Sequence, residues 1–178
     1  APGNDLVCFR EPLGERGIDW ITMPVPMKPG TGANKLSARA EGNAPLHNAS
    51  FAEFTARLEK AGVRVFDPGP SLMQHKVVLG AASLYLESDT HWRPETMEHV
   101  AEDLAAIIPP SASAPRAPLQ LAEKEVNGLG DIARMLTLPP SQNLYRSEKV
   151  TIHEVMSGNA MWRPSNDADI LFLGDSFS

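Results

Sequence analysis

The sequence is nearly without cysteine: Cys8 stands alone. No disulfide can form within the chain, and cysteine usage carries no signal of compartment. No apolar run reaches the length of a membrane-spanning helix, and no stretch reads as a signal peptide. Those absences fit a mature secreted protein, a cytosolic one or an excised domain equally. Basic residues are also short, 16 Lys and Arg against 22 Asp and Glu, for a net charge of −6 and a pI near 5.3. That balance excludes the basic footprint of a nucleic-acid binder. It leaves room for a polyanionic polysaccharide, because a local basic cleft can sit on an acidic protein. What the chain has in plenty is proline, 16 residues, and glycine, 13, which implies long loops. At 178 residues, 42% hydrophobic and 21% charged, it has the size and composition of one globular domain with a sizeable core.

The stretch that organises the rest is the last one. Ile170, Leu171, Phe172 and Leu173 form an apolar run that reads as a short strand buried on both faces of a parallel sheet. Gly174-Asp175-Ser176 follows, three residues that tolerate a sharp turn. The run would place Ser176 at the carboxyl end of a strand, where open α/β sheets put their ligands. Alone, the triplet is equally a β-turn whose serine caps a helix.

A second stretch changes the balance. Ser88-Asp89-Thr90-His91-Trp92-Arg93-Pro94-Glu95 follows the apolar run at residues 84–86 and precedes a helical pattern. Its chemistry complements Ser176. A serine hydroxyl is a poor nucleophile until a base takes its proton, and neutral histidine is that base near pH 7. A carboxylate on the other ring nitrogen fixes the tautomer and stabilises the imidazolium. Asp175 adjoins Ser176 too closely to complete such a line, so Asp89 is the better acid.

At these residues the chain resembles a known family. Gly174-Asp175-Ser176 with its apolar approach resembles the nucleophile block of SGNH (GDSL-type) hydrolases. Asp89-Thr90-His91-Trp92 resembles the Asp-x-His-Trp motif of their alginate O-acetyltransferase branch, the AlgJ and AlgX proteins. Ordinary SGNH enzymes carry the serine block first. Here the order is reversed, a circular permutation that marks this branch. Residues 17–26 resemble the strand before the Asp/His block, and residues 130–136 resemble the Gly-Asp-Leu helix between the two blocks.

The resemblance implies an α/β, flavodoxin-like three-layer sandwich with a mostly parallel sheet, permuted and incomplete at its C-terminus. It implies acetyl transfer to an exopolysaccharide such as alginate through an acetyl-serine. Ser176 would attack, His91 would act as base then acid, and Asp89 would orient His91. It also implies a periplasmic protein, not itself spanning the membrane in this segment, that takes acetyl from a membrane-bound O-acyltransferase partner and uses no cofactor. A carbohydrate acetylesterase runs the same chemistry with water as acceptor. A non-catalytic polysaccharide-binding module is the alternative of a different class.

Taken in order, residues 1–16 give little periodic signal and read as a ragged end. Residues 18–25 are the first strand. Residues 27–49 form a long polar loop with Lys28, Lys35 and Arg39, either disordered or a lid over an acidic polymer. Ser50 with Glu53 has capping-box spacing, Phe51, Phe54, Leu58 and Ala61 recur at helical intervals, and Gly62 suits the position after the helix. Residues 63–66 then complete a βαβ unit, hence a parallel sheet. A short helix is expected over 71–78. Pro94 opens another that runs to about residue 108, residues 111–118 read as a connector, and residues 145–155 are strand-like.

Five histidines invite a metal reading. His91, Glu95 and His99 are four apart, but Pro94 puts His91 outside the helix, and His99 sits among acids on a solvated face. No metal is assigned. His47, His75 and His153 have no motif around them and read as surface residues. Trp92, beside the proposed base, is either a sugar-stacking platform or core packing; Trp162 offers the same choice more weakly.

A nucleophile elbow works because a helix follows it and aims backbone N–H groups at the reacting oxygen. Only two residues follow Ser176, and loss of one oxyanion donor costs roughly 3–4 kcal/mol in the transition state. The 178 residues are therefore expected to be a fragment of a longer protein, one domain that is poorly stable and nearly inactive as it stands. Assay of this segment against nitrophenyl acetate checks the expectation; robust turnover would overturn it and require an oxyanion hole from upstream backbone such as residues 128–130.

Overall fold

A computed structural model describes residues 3–37, 44–78, 83–109 and 118–177. The chain divides into two compact units, Ala1–Ala82 and Ser83–Ser178.

The first unit opens with helix α1, Asn4–Glu15, although Pro12 lies inside it and none of its residues is buried. The expectation of a ragged end is corrected here. A helix with no buried face lacks the apolar periodicity that reveals one in a sequence. The chain then enters strand β1, Ile21–Thr22, shorter than the expected 18–25 because the strand that pairs with it is equally short. The polar loop after it contains two single-turn helices, α2 (Lys28–Thr31) and α3 (Ala33–Leu36); Arg39 lies outside the described residues.

Helix α4, Phe51–Lys60, matches its apolar spacing and buries Leu58 completely. Its capping box does not form. Ser50 already has helical backbone angles, φ −83° and ψ −3°, and its Oγ turns back to Asn48 Oδ1 at 3.0 Å. The other end is built as expected. Gly62 takes φ +78°, its N–H donates to the Glu59 carbonyl at 2.9 Å, and the Val63 N–H donates to the Leu58 carbonyl at 3.0 Å. This pair of bonds satisfies carbonyls that the helix end would leave orphaned.

Strand β2, Arg64–Val65, follows and pairs parallel with β1, Ile21 opposite Arg64 and Thr22 opposite Val65. The βαβ unit is present in miniature. Helix α5, Gly69–Val78, starts where Asp67 Oδ1 accepts the Gly69 N–H at 2.9 Å, and it buries Leu72 and Met73.

In the second unit, residues 84–86 and 91–93 lie antiparallel across a tight loop, joined by the bridge Tyr85–Trp92. The Leu86 N–H donates to the His91 carbonyl at 3.1 Å and the Arg93 N–H to the Leu84 carbonyl at 3.0 Å. Leu84, Tyr85 and Trp92 are buried there, as are Thr96 and Val100 of helix α6, Pro94–Ile107. Strand β3, Leu119–Gly128, runs antiparallel to strand β4, Glu148–Ser157, over ten residue pairs, and the short strand β5, Ala160–Met161, adds to β4. Between β3 and β4 sits the five-residue helix α7, Asp131–Met135. Most of the connector at 111–118 lies outside the described residues.

Two sequence expectations change. The only parallel pairing among the described residues is the two-residue β1–β2 ladder; the larger sheet is antiparallel. Residues 170–173 belong to no strand or helix, with exposures of 49, 80, 53 and 75%. Burial on both faces requires neighbouring strands and covering helices, and no described strand pairs with this run. No helix among the described residues is long and apolar enough to cross a membrane.

The left-handed Gly62 gives a direct check. Gly62→Ala should cost about 1–2 kcal/mol, the penalty for an L-residue in that conformation, read as a lowered urea midpoint at unchanged slope. No change in midpoint would mean that the α4 terminus has relaxed into another cap.

Candidate active site

Three of the residues singled out in the sequence converge. Asp89 Oδ1 lies 2.6 Å from His91 Nδ1, and His91 Nε2 lies 2.8 Å from Ser176 Oγ. The carboxylate accepts only, so the proton of the neutral imidazole sits on Nδ1. Nε2 is left as an acceptor for the Ser176 hydroxyl.

The loop carrying Asp89 and His91 is pinned from several sides. Glu148, at the start of β4, accepts the Glu87 N–H on Oε2 at 2.8 Å and the Arg93 guanidinium on Oε1. Arg93 also reaches Glu95 at 2.7 Å. From α7, the Asp131 N–H donates to Asp89 Oδ2 at 2.9 Å, while the Asp131 carboxylate accepts the Thr90 N–H at 2.8 Å and the Thr90 hydroxyl. Gly130 makes this approach possible. A Cβ on it would lie 2.0 Å from the Ser88 carbonyl oxygen and 2.7 Å from the Asp89 nitrogen, so no other residue fits without displacing the loop.

Asp89 is 7% exposed. Burial pushes its carboxyl pKa up, but hydrogen bonds from the His91 N–H and ring, and then from Asp131, outweigh it and hold the pKa at about 2. The carboxylate is therefore charged at neutral pH.

Ser176 is exposed, on a turn in which Asp175 Oδ1 accepts the Phe177 N–H at 3.0 Å. Asp175 thus shapes the turn. Phe177 lies against the His91 ring at 4.7 Å between centroids and meets Trp92 edge to face at 5.8 Å. Trp92 is 7% exposed, whereas a stack on a sugar needs an open ring face. A cavity of about 210 Å³ beside Asp89 is lined by Ser88, Asn127, Gly128, Gly130, Arg134 and Glu148 among others.

The remaining candidates fall elsewhere. Glu95 is engaged by Arg93, and His99 faces Asp103 at 3.5 Å, so His91, Glu95 and His99 share no site. Asp89, His91 and Asp131 bring ligand atoms within 4.8 Å of one another, but those atoms are turned onto each other and onto backbone N–H groups. His47 stacks on Phe51 at 4.0 Å, and His153 reaches Glu98 at 2.6 Å. Reading the sequence missed Asp131, Thr90 and Phe177 as parts of the site. Glycine directly before an acidic helix start was the available signal for the first.

The family model "SGNH hydrolase-like domain, acetyltransferase AlgX" matches residues 4–178. The chain belongs to this family. It is 32% identical over 96 residues to the probable alginate O-acetylase AlgJ of Pseudomonas aeruginosa, an alignment covering 54% of this chain and 23% of that protein. It also resembles the solved O-acetyltransferase domain of Pseudomonas putida AlgJ, with a TM-score of 0.56 and 18% identity over 86% of this chain and 55% of that one. The chain therefore spans about a quarter of the curated relative and about half of the solved one. The family and the solved neighbour together give an SGNH-like α/β fold.

The depressed pKa of Asp89 has a thermodynamic consequence. Its folded value lies below the unfolded value of about 3.9, so it contributes stability that is full above about pH 4 and lost as the pH falls through about 2. Wild type should lose about 2 kcal/mol more than Asp89→Asn across that window, read by urea unfolding at each pH. Equal losses would mean that the Asp89 carboxyl is not held by these hydrogen bonds.

Proposed function

We propose that the chain carries the acyl-transfer centre of an exopolysaccharide O-acetyltransferase that works through an acetyl-serine. What supports this reading above all is the unbroken line Asp89–His91–Ser176, with contacts of 2.6 Å and 2.8 Å. Motif order and the βαβ unit support a permuted, flavodoxin-like sandwich, with these residues one domain of a longer protein.

Ser176 Oγ attacks the carbonyl carbon of an acetyl ester while its proton passes to His91 Nε2. The tetrahedral intermediate collapses, and the donor's alkoxide leaves with that proton. An acceptor hydroxyl then gives its proton to His91 and attacks the acetyl-serine, and Ser176 recovers its hydrogen as the product ester departs. Asp89 keeps the Nδ1–H tautomer and offsets the imidazolium charge through both half-reactions. Exposure of Ser176 suits a polymeric acceptor, which cannot enter a closed pocket. Trp92 serves as the buried seat for Phe177 rather than as a sugar platform.

The acceptor class is an alginate-like polysaccharide, in keeping with a probable alginate O-acetylase as relative. The acetyl donor is supplied through a membrane-bound O-acyltransferase partner, and the compartment is the periplasm. No step calls for a metal or a cofactor.

The test is made in the intact protein. Ser176→Ala should abolish release of nitrophenol from its acetate ester and labelling by a fluorophosphonate, with the far-UV spectrum retained; a chelator should leave the rate unchanged. Turnover that survives Ser176→Ala, or that EDTA removes, would overturn the serine mechanism.

A further inference from the structure

The lysines of the polar loop take no part in the acyl-transfer centre, and the first unit gives them a setting of their own. Lys28 opens α2, Lys35 lies on α3 and Lys76 on α5. Lys76 Nζ donates to the carbonyl of Thr31, the buried last residue of α2, at 3.1 Å. This bond ties α5 to α2 and brings the Lys76 ammonium to the turn that leads into α3. The Lys76 amine is held below its usual pKa, by burial first and then by the Lys35 ammonium, so these two like charges act on each other. The two segments that supply the cluster carry no charge of the opposite sign. Residues 20–40 and 68–82 contain Lys28, Lys35, Arg39, His75 and Lys76 but no aspartate or glutamate, in a chain of net charge −6.

Apolar side chains accompany the lysines. Met27 precedes Lys28, Leu36 follows Lys35 and Val77 follows Lys76. A fourth, Leu46, is held against α2 by its N–H on the Gly30 carbonyl at 2.9 Å. These four residues, Met27, Leu36, Val77 and Leu46, are 74, 73, 58 and 60% exposed. Apolar residues scattered singly over a surface are ordinary. Here four are gathered around one pair of short helices, and three of them stand beside a lysine.

We infer that this corner of the first unit docks on an anionic lipid surface, with Met27, Leu36, Leu46 and Val77 entering the headgroup layer and Lys28, Lys35 and Lys76 on lipid phosphates. The inference goes beyond the acyl-transfer reading and does not depend on it. A bilayer surface uses both halves of the pattern. Each ammonium stays with the phosphates on its flexible stem while the apolar neighbour enters the boundary with the acyl chains. Phosphates between Lys35 and Lys76 also relieve the repulsion that the fold imposes on that pair. A polyuronate would answer the ammonium groups alone and leave the four apolar side chains in water, and none of the four is an aromatic ring on which a sugar could stack. Helices α2 and α3 have four residues each, so the contact lies on the membrane rather than across it.

Co-sedimentation of the intact protein with vesicles tests this. The protein should pellet with phosphatidylcholine vesicles that contain one quarter phosphatidylglycerol, stay in solution with phosphatidylcholine alone, and be released as salt is raised. Lys35→Gln should weaken binding about fivefold, and Lys35→Gln with Lys76→Gln about twenty-fivefold, the scale for one and two ammonium groups near an anionic surface. Met27→Ser with Leu36→Ser changes no charge and should weaken binding as well. The far-UV spectrum should be retained throughout. If loss of the Lys76 bond to Thr31 loosens α5, Lys35→Gln alone carries the charge test, since Lys35 is exposed.

Equal binding to neutral and anionic vesicles, binding to neither, or binding unchanged by these substitutions overturns the inference. So does capture of an alginate oligosaccharide in place of anionic vesicles, lost in Lys35→Gln, which would make the lysines a grip for the polymer. The acyl-transfer reading fails separately, through turnover that survives Ser176→Ala, and that result leaves the vesicle measurement standing.

Discussion

The second unit depends on one buried carboxylate that must stay charged. Asp89 is nearly sealed from water, a costly position for an anion unless hydrogen-bond donors replace its solvation. Three N–H groups do so: the His91 amide, the His91 ring and the Asp131 amide. Each donor dictates a piece of structure. The His91 amide fixes the tight turn, the ring bond fixes the imidazole plane, and the Asp131 amide brings α7 to the loop. The glycine before Asp131 follows from the same demand, since the amide can reach the carboxylate only if the preceding residue has no side chain.

Around that anion the surrounding charges form a chain rather than a scatter. Glu148 on β4 holds Arg93, and Arg93 also holds Glu95 in the first turn of α6. His153 of β4 meets Glu98 of α6. The long antiparallel ribbon thus touches the helix through polar pairs as well as packing. Few of these pairs are deeply buried, and exposed pairs contribute little individually. Their value here lies in fixing where the ribbon's end meets the loop that bears Asp89 and His91.

Much of this was legible in the residues, and the boundary falls where physical reasoning places it. Helices with one apolar face, such as α4 and α6, were visible from spacing and from Gly62 and Pro94. Helix α1 was not, because nothing on it is buried. Strand β3 escaped notice for the same reason: most of its side chains are exposed and its pairing is supplied by β4, far along the chain. Residues 170–173 erred the other way. Their hydrophobicity reads as burial, yet burial is a property of what packs against a run, not of the run itself. Asp89, His91 and Ser176 were legible because their chemistry is complementary. Asp131 was not, since an aspartate at a helix start already has an ordinary explanation in the helix dipole.

The spacing of these contacts along the chain has a consequence for how the centre assembles. Asp89 and His91 are two residues apart, Asp131 is 42 from Asp89, and Ser176 is 85 from His91. Closing a longer loop costs more entropy, though the cost grows slowly with length. The acid–base pair can therefore form within its own hairpin, take on α7 next, and receive the hydroxyl last. Until Phe177 docks on His91, no hydroxyl lies on the ring's Nε2, so the Asp89–His91–Ser176 line is completed only by the final long-range contact.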